Sequence, residues 1–347
     1  MGQICTQKKL SLNLDEIPSP KNPKKLNKTE REKLEAIHEY KDFLLKLKII
    51  DPACGSGAFL NQALNFLIHE HEFVDKNRRI YDGDALGFYD IEASILENNL
   101  YGVDINKEAT DIAKLSLWLR TAKRGRKLTQ LAKKIKCANS LTQMPFFDIE
   151  FDCVIGNPPY VRQEAIKDYK DSLSQYQTYS GTADLYVYFY ELGLKLLKPN
   201  GILGYICSNK FFRTAYGQNL REFILNDFSI DVIADFNGVK VFEDATVDSA
   251  ITIIKNTPVQ AEHSFEIYDA NLKDSFFMLQ SNLSIESFSF LSDLELGIKK
   301  KIESLGTPLK EWEVNIYRGI LTGYNKAFKI DEATKDELIK KTTNQLR

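Results

Sequence analysis

The chain has 347 residues, 43% of them apolar and 27% charged, with a formal net charge of −2; this balance suits a soluble globular protein and excludes wholesale disorder or collagen-like order. No stretch approaches 18 apolar residues and the N-terminus MGQICTQKKL has no apolar leader, so neither a transmembrane helix nor a membrane partner is expected. Five cysteines (Cys5, Cys54, Cys137, Cys153, Cys207) without a CxxC pair, and four histidines without an HxxxH pair, argue against disulfides and metal and suit a cytoplasmic location.

Residues 1–28 read as irregular, with Pro18, Pro20 and Pro23 among polar neighbours. Thr29-Glu30-Arg31-Glu32 reads as a helix cap with an acidic first turn, opening a helix to about Lys46. A regular alternation follows. Strands are expected over Leu47–Asp51, Leu100–Ile105, Ile135–Leu141, Phe151–Ile155, Gly201–Ser208, Ile230–Phe236 and Ser249–Lys255. Helices are expected over Ala58–His71, Glu108–Arg120, Asp184–Leu197 and Gly217–Leu225. Residues 72–99 read as a polar insertion. Strands alternating with helices of this length predict an α/β fold built on a doubly wound, mainly parallel sheet. The last two strand runs lack a helix between them and predict an antiparallel hairpin at one sheet edge. Beyond 270 the alternation stops: 271–304 reads as a connecting segment, helical over Asp293–Leu305. Residues 305–347 read as the start of a different domain, with short strands and turns over Trp312–Ile330.

Charge is uneven. Nine Lys or Arg side chains fall between Lys114 and Lys136, while 112–147 contain no Asp or Glu. A basic surface on a near-neutral chain is compatible with a polyanion partner; a solvated helix face is the alternative.

Two motifs carry chemistry. The first is Asp51-Pro52-Ala53-Cys54-Gly55-Ser56-Gly57, placed between an apolar strand and a helix. Glycines there let backbone approach a ligand closely. A dinucleotide site would require GxGxxG and an acid about 20 residues on. Here Leu60 stands where the third glycine would be, and the next strand-end acid is Asp104. That pattern suits a phosphate-free nucleoside such as S-adenosylmethionine better than a dinucleotide. The second motif is Asn157-Pro158-Pro159-Tyr160, after the strand Phe151–Ile155. Proline has no N–H, so Pro158 offers only a carbonyl, and Pro159 holds Pro158 extended. Asn157 supplies a second acceptor. Two acceptors match the two hydrogens of an exocyclic amine. They draw a delocalised nitrogen toward tetrahedral geometry and stabilise the charge that grows as it attacks a methyl sulfonium. Tyr160 offers a ring face to stack on a base.

With these residues in hand, the chain resembles the gamma-class adenine-N6 DNA methyltransferases of type II, especially type IIG, restriction–modification systems. The order of the two motifs carries the resemblance, as do the longer runs NPPYVR (157–162), YSGTADLYVYFY (179–190) and RGILTGYNKAFKI (318–330). It spans roughly residues 30–330.

The resemblance implies a Rossmann-like catalytic domain over 29–270. It implies methyl transfer from S-adenosyl-L-methionine to adenine N6 in double-stranded DNA, with the target adenine flipped out. It further implies that Asp51, Pro52, Ala53, Cys54, Gly55 and Gly57 border the cofactor's methionine, and that Asp104 holds its ribose. Ile105 would lie against its adenine, Asn139 would face the adenine amine and Phe189 would pack nearby. Asn157, Pro158, Pro159 and Tyr160 would be catalytic, and Phe242 would stack on the target base. The family's Tyr-Thr-Pro segment has no counterpart in residues 1–50, no PD…(D/E)xK nuclease cluster is present, and 305–347 is short for a DNA-recognition domain. The expectation is a fragment of a longer restriction–modification polypeptide, whose other segments would be partners. Two alternatives remain open at this point: methylation of an RNA amine or a protein glutamine amide, and an inactive DNA-binding chain.

Overall fold

The computed structural model describes residues 1–20, 22, 25–82, 91–121, 133–161, 170–239, 241, 248–312, 314 and 335. It divides into two units, Met1–Asp293 and Leu294–Arg347.

Short apolar runs bounded by turns give the strands of the first unit. They are β1 (Ile49–Asp51), β2 (Leu100–Asp104), β3 (Ile135–Cys137), β4 (Phe151–Gly156), β5 (Leu197–Ser208), β6 (Ser229–Asp235), β7 (Ser249–Lys255), β8 (Ser264–Tyr268) and β9 (Ser275–Leu279). They form one nine-stranded sheet in the order β3-β2-β1-β4-β5-β7-β6-β8-β9. The pairs from β3 through β5 are all parallel, whereas β7 runs antiparallel to both β5 and β6. The expected hairpin is therefore present but not at the edge. β7 lies between β5 and β6, β6 pairs parallel to β8, and β9 closes the sheet. β8 and β9 carry the sheet past residue 270 to Leu279.

The helices are α1 (Gly2–Ser11), α2 (Lys28–Lys46), α3 (Ala58–Asp82), α4 (Ile91–Asn98), α5 (Lys107–Thr121), α6 (Lys170–Leu173), α7 (Tyr186–Lys195), α8 (Gln218–Asp227) and α9 (Asp293–Leu305). Successive strand residues point to opposite faces, and two cores result. Ile49, Leu100 and Ile135 face a core with Ile37, Leu60, Leu64 and Leu117 from α2, α3 and α5. Ile50, Tyr101 and Val154 face the other, with Tyr186, Tyr190 and Leu220 from α7 and α8. At Gly102 the α3 side comes so close that a Cβ would stand 2.8 Å from Leu60 Cδ1.

Three local expectations need correction. Residues 2–11 are helical, not irregular; Lys8 pairs with Glu39 and Lys9 with Glu70 to hold α1 in place. Asn27, not Thr29, caps α2: its side chain accepts from the Glu30 amide at 2.9 Å, and Glu30 accepts from the Asn27 amide at 2.8 Å. This reciprocal box satisfies two helix-end donors. α3 continues to Asp82, so the segment from 72 begins as helix; residues 83–90 of that expected insertion lie outside the described ones.

Arg221 on α8 is 1% exposed. Its guanidinium donates to the carbonyls of Phe211, Thr214, Ile285 and Glu286, tying α8 to both the turn after β5 and the chain beyond β9. Each buried carbonyl left without a donor costs about 1–3 kcal/mol. Only the bond to Phe211 is wholly buried and water can reach the other three carbonyls, so Arg221→Met should destabilise by about 1–3 kcal/mol. Chemical denaturation read by circular dichroism measures it. Arg221→Lys, with a compact ammonium in place of the fork, should recover only part of the loss.

Candidate functional site

The chain leaves the adjacent strands β1 and β4 toward opposite sides of the sheet. In such sheets the crevice lies at the carboxyl ends of the strands, where the order reverses. Both motifs are at that edge. Asp51 ends β1, Asp104 ends β2, and Gly156 ends β4 directly before Asn157. A Cβ on Gly156 would stand 2.7 Å from Asp51 Oδ1, so the two motifs meet at this glycine.

The first motif turns tightly. Gly55 and Gly57 have φ of +50° and +87°, the left-handed region that favours glycine. A Cβ at Gly57 would meet Ala113 Cβ of α5 at 3.0 Å, while one at Gly55 would meet nothing within 4 Å. Gly57 is thus required by packing and backbone, and Gly55 borders open space. The Gly55 amide donates to Asp104 Oδ2 at 2.8 Å, and the Asn106 amide donates to Asp104 Oδ1 at 2.8 Å. Two amides fix the carboxylate at the end of β2. Next to it Ile105 is 62% exposed, an apolar side chain left uncovered at the rim.

Beyond β3 the chain does not continue as a strand to Leu141. The Leu141 amide donates to Asn139 Oδ1 at 3.0 Å, forming a turn, and Ser140 Oγ donates to the Pro52 carbonyl at 2.6 Å. That bond fastens this turn to the first motif. Beyond β4, Tyr160 Oη donates to Asn157 Oδ1 at 2.8 Å, and the Leu185 amide donates to the Val161 carbonyl at 2.9 Å, anchoring the second motif to the start of α7.

One cleft of about 210 Å³ is lined by Pro52, Ala53, Asp104, Ile105, Asn139, Asn157, Pro159 and Phe189. The structure thus brings together eight of the residues singled out in sequence. It does not bring the others to the lining. Asp51 is buried behind it, Cys54 is 5% exposed with its thiol against the core at Gly102, and Pro158 is buried. Gly55 and Gly57 form the turn beside Asp104, and Tyr160 stands half-buried behind Asn157. Phe242 lies outside the described residues. Ala138, Ser140, Leu141, Thr142, Leu173 and Leu185 also line the cleft and were not singled out. Ser140 and Leu141 adjoin Asn139, and Leu185 falls within the run YSGTADLYVYFY, so position in these runs was the available signal.

The basic stretch is partly consumed by the fold. Lys114 pairs with Asp111 at 3.1 Å, Arg120 donates to Asn65, and Lys134 sits 3.9 Å above the Tyr101 ring while donating to its hydroxyl. Lys123, Arg124, Arg126 and Lys127 lie outside the described residues. Among the described residues no helix is long and apolar enough to cross a membrane.

Burial pushes the Asp51 carboxyl up to about 7; the Ala53 amide opposes this and the nearby Asp104 charge adds to it. The folded chain therefore holds a proton at Asp51 that the unfolded chain releases near pH 4, and folding stability falls as pH rises from about 4 to about 7. Burial and Lys41 bring His71 down to about 4, which gives a slope of the opposite sign up to its ordinary value of 6.5. The two separate by difference. Relative to Asp51→Asn, the native chain should lose up to about 1.4 kcal/mol per pH unit across that window, measured by thermal unfolding from pH 4 to 8.

Residues 98–242 match the family model described as the Eco57I restriction-modification methylase. The chain is 33% identical over 224 residues to the type II methyltransferase M.BstVI of Geobacillus stearothermophilus, covering 61% of this chain and 37% of that one. It is 30% identical over 308 residues to the type II methyltransferase M.PaeR7I of Pseudomonas aeruginosa, covering 81% and 51%. Against the type II restriction enzyme and methyltransferase RM.Eco57I of Escherichia coli the identity is 24% over 331 residues, covering 82% and 33%. The chain thus spans about a third to a half of the length of these curated relatives. Among solved structures, the type IIL restriction-modification enzyme MmeI, determined in complex with DNA, superposes with a TM-score of 0.55 at 18% identity, covering 72% of this chain and 37% of that one. This last likeness concerns the fold.

Proposed function

We propose that this chain, a relative of the type II restriction–modification methyltransferases, transfers a methyl group from S-adenosylmethionine to the exocyclic N6 of adenine in double-stranded DNA. The observation that carries the reading is that one cleft is lined by both Asp104 with Ile105 and Asn157 with Pro159. On this reading an acid for the nucleoside and an acceptor for the amine share a single space at the sheet's switch point.

The residues suit such a cofactor. A carboxylate held by two backbone amides keeps lone pairs for two vicinal ribose hydroxyls. The exposed Ile105 supplies an apolar face for a purine, Phe189 lines the same cleft, and the turn at Gly55 leaves the space a side chain would fill. Asn139 faces the same cleft, although its side-chain oxygen already accepts from Leu141. When bound, S-adenosylmethionine would supply an electrophilic methyl group on sulfur.

The chain's own part is positioning and electrostatics. The Asn157 oxygen, at the cleft, accepts one amine hydrogen of a flipped adenine, and the second would go to the carbonyl of Pro158, which lies buried beside the lining. They localise the nitrogen lone pair and stabilise the positive charge that develops on it. Stacking on the base by Tyr160, which stands behind Asn157, and by Phe242 is what the resemblance alone implies. No cysteine takes part, because attack by an amine needs no covalent enzyme intermediate. Burial drives the Cys54 thiol upward, away from the thiolate form.

The test is transfer of a tritiated methyl group to duplex DNA, to RNA and to protein in parallel, followed by nucleoside analysis. Label on N6-methyladenine from DNA supports the reading. Label on cytosine, or on RNA or protein alone, rejects it.

A further inference from the structure

We infer that Ser249 and the hydroxyl of Tyr160 are positioning residues that set which end of the Asn157 amide faces the cleft. This rests on the reading above and concerns only the phenol oxygen, not the ring face. A carboxamide carries a donor end and an acceptor end of nearly equal size. Only the oxygen can receive the hydrogens of an amine; a flipped Asn157 would present its own N–H groups and repel them.

The structure supplies hydrogen-bonding partners behind this residue. Tyr160 Oη donates to Asn157 Oδ1 at 2.8 Å. Its ring is held edge-on to Tyr186, with centroids 6.4 Å apart and planes at 85°. The side chain of Ser249 is a second hydrogen-bonding neighbour of the Tyr160 hydroxyl. Ser249 is 0% exposed and is the first residue of β7, opposite Ser208 of β5.

With the Ser249 hydroxyl donating to the phenol oxygen, the Tyr160 proton is directed at Asn157. It can be received only by the amide oxygen. A flipped amide would set its N–H groups against both the Tyr160 proton and the substrate amine. The second lone pair of Oδ1 remains for the target hydrogen. The antiparallel strand β7, which carries no residue of either motif, thereby orients the acceptor that follows β4.

The experiment is a double-mutant cycle on the full chain, read as single-turnover methyl transfer to a duplex. Thermal melting checks that each variant is folded. Tyr160→Phe keeps the ring and removes the hydroxyl. It should lower kcat by about threefold to tenfold, the worth of one net hydrogen bond, and leave KM for DNA in place. In an Asn157→Ala background the same change should cost nothing further, because there is no amide left to orient. Ser249→Ala should lower kcat in the native background and have no effect once Tyr160→Phe is present. This second cycle decides the matter if the Asn157→Ala rate is too slow to follow.

Equal losses from Tyr160→Phe with and without Asn157 would overturn the inference and assign the hydroxyl to packing. An undiminished rate for Tyr160→Phe would overturn it too. Neither of those outcomes touches the methyltransferase reading. That reading falls, and the inference with it, if the unaltered chain labels no adenine or if Asn157→Ala runs at full rate.

Discussion

Replacing Asn157 by alanine is expected to slow methyl transfer by about 10²–10³, the cost of removing one preorganised contact to charge that develops in the transition state. The residue follows the last residue of β4 and is part-exposed, so the substitution removes no core volume. It does leave the Tyr160 hydroxyl without its 2.8 Å acceptor, and a modest fall in melting temperature should accompany the loss. The kinetic signature separates the two effects. An interaction made only in the transition state lowers kcat and kcat/KM together, whereas a loss of uniform binding raises KM alone. Transfer rates measured over a range of duplex concentrations up to saturation give both quantities. Near-full turnover in the variant would remove the amine-polarising role from Asn157.

The parts of the site that could be read from sequence are those that sit at strand ends. Ile50, Val103 and Val154 are buried on a parallel sheet covered on both sides, so their strands appear as apolar runs. Asp51, Asp104 and Asn157 stand just where those runs stop. A residue at that boundary is placed at the crevice by the topology alone. Ser140, Leu173 and Leu185 reach the cleft through turns and side-chain bonds that no periodicity announces. Cys54 belongs to the first motif by position, yet the left-handed turn at Gly55 follows it and its thiol packs inward.

The fold was hidden for similar reasons where tertiary contacts overrule local pattern. Of α1 only Cys5 is buried, so the helix has no apolar stripe to recognise. Lys9 holds it from outside, paired to Glu70 and lying 4.4 Å over the Phe73 ring. α3 runs through the polar residues 75–79 because Val74 and Tyr81, two turns apart, are both anchored in the core. β9 leaves Phe277 64% exposed at the sheet edge, so its alternation gives little sign of which face is covered.

Asp104→Ala should weaken binding of S-adenosylmethionine by at least tenfold. Two ribose hydroxyls donating to a carboxylate are each worth about 1.5–3 kcal/mol. Part of that is offset, because in the free chain the same oxygens accept from Gly55 and Asn106 at 2.8 Å. Losing those acceptors also frees two amides in the turn that shapes the cleft, so the variant should melt lower and bind with a less favourable enthalpy. Asp104→Asn is the control for shape. It retains one acceptor oxygen and sets an N–H₂ group against either the Gly55 or the Asn106 amide, so its affinity should fall between the other two. Calorimetry at one pH and salt concentration ranks the three. An alanine variant that binds S-adenosylmethionine as tightly as the native chain would exclude Asp104 from the site. Tighter binding of a nicotinamide dinucleotide to the native chain would replace the cofactor assignment altogether, because the glycine turn would then be serving a pyrophosphate.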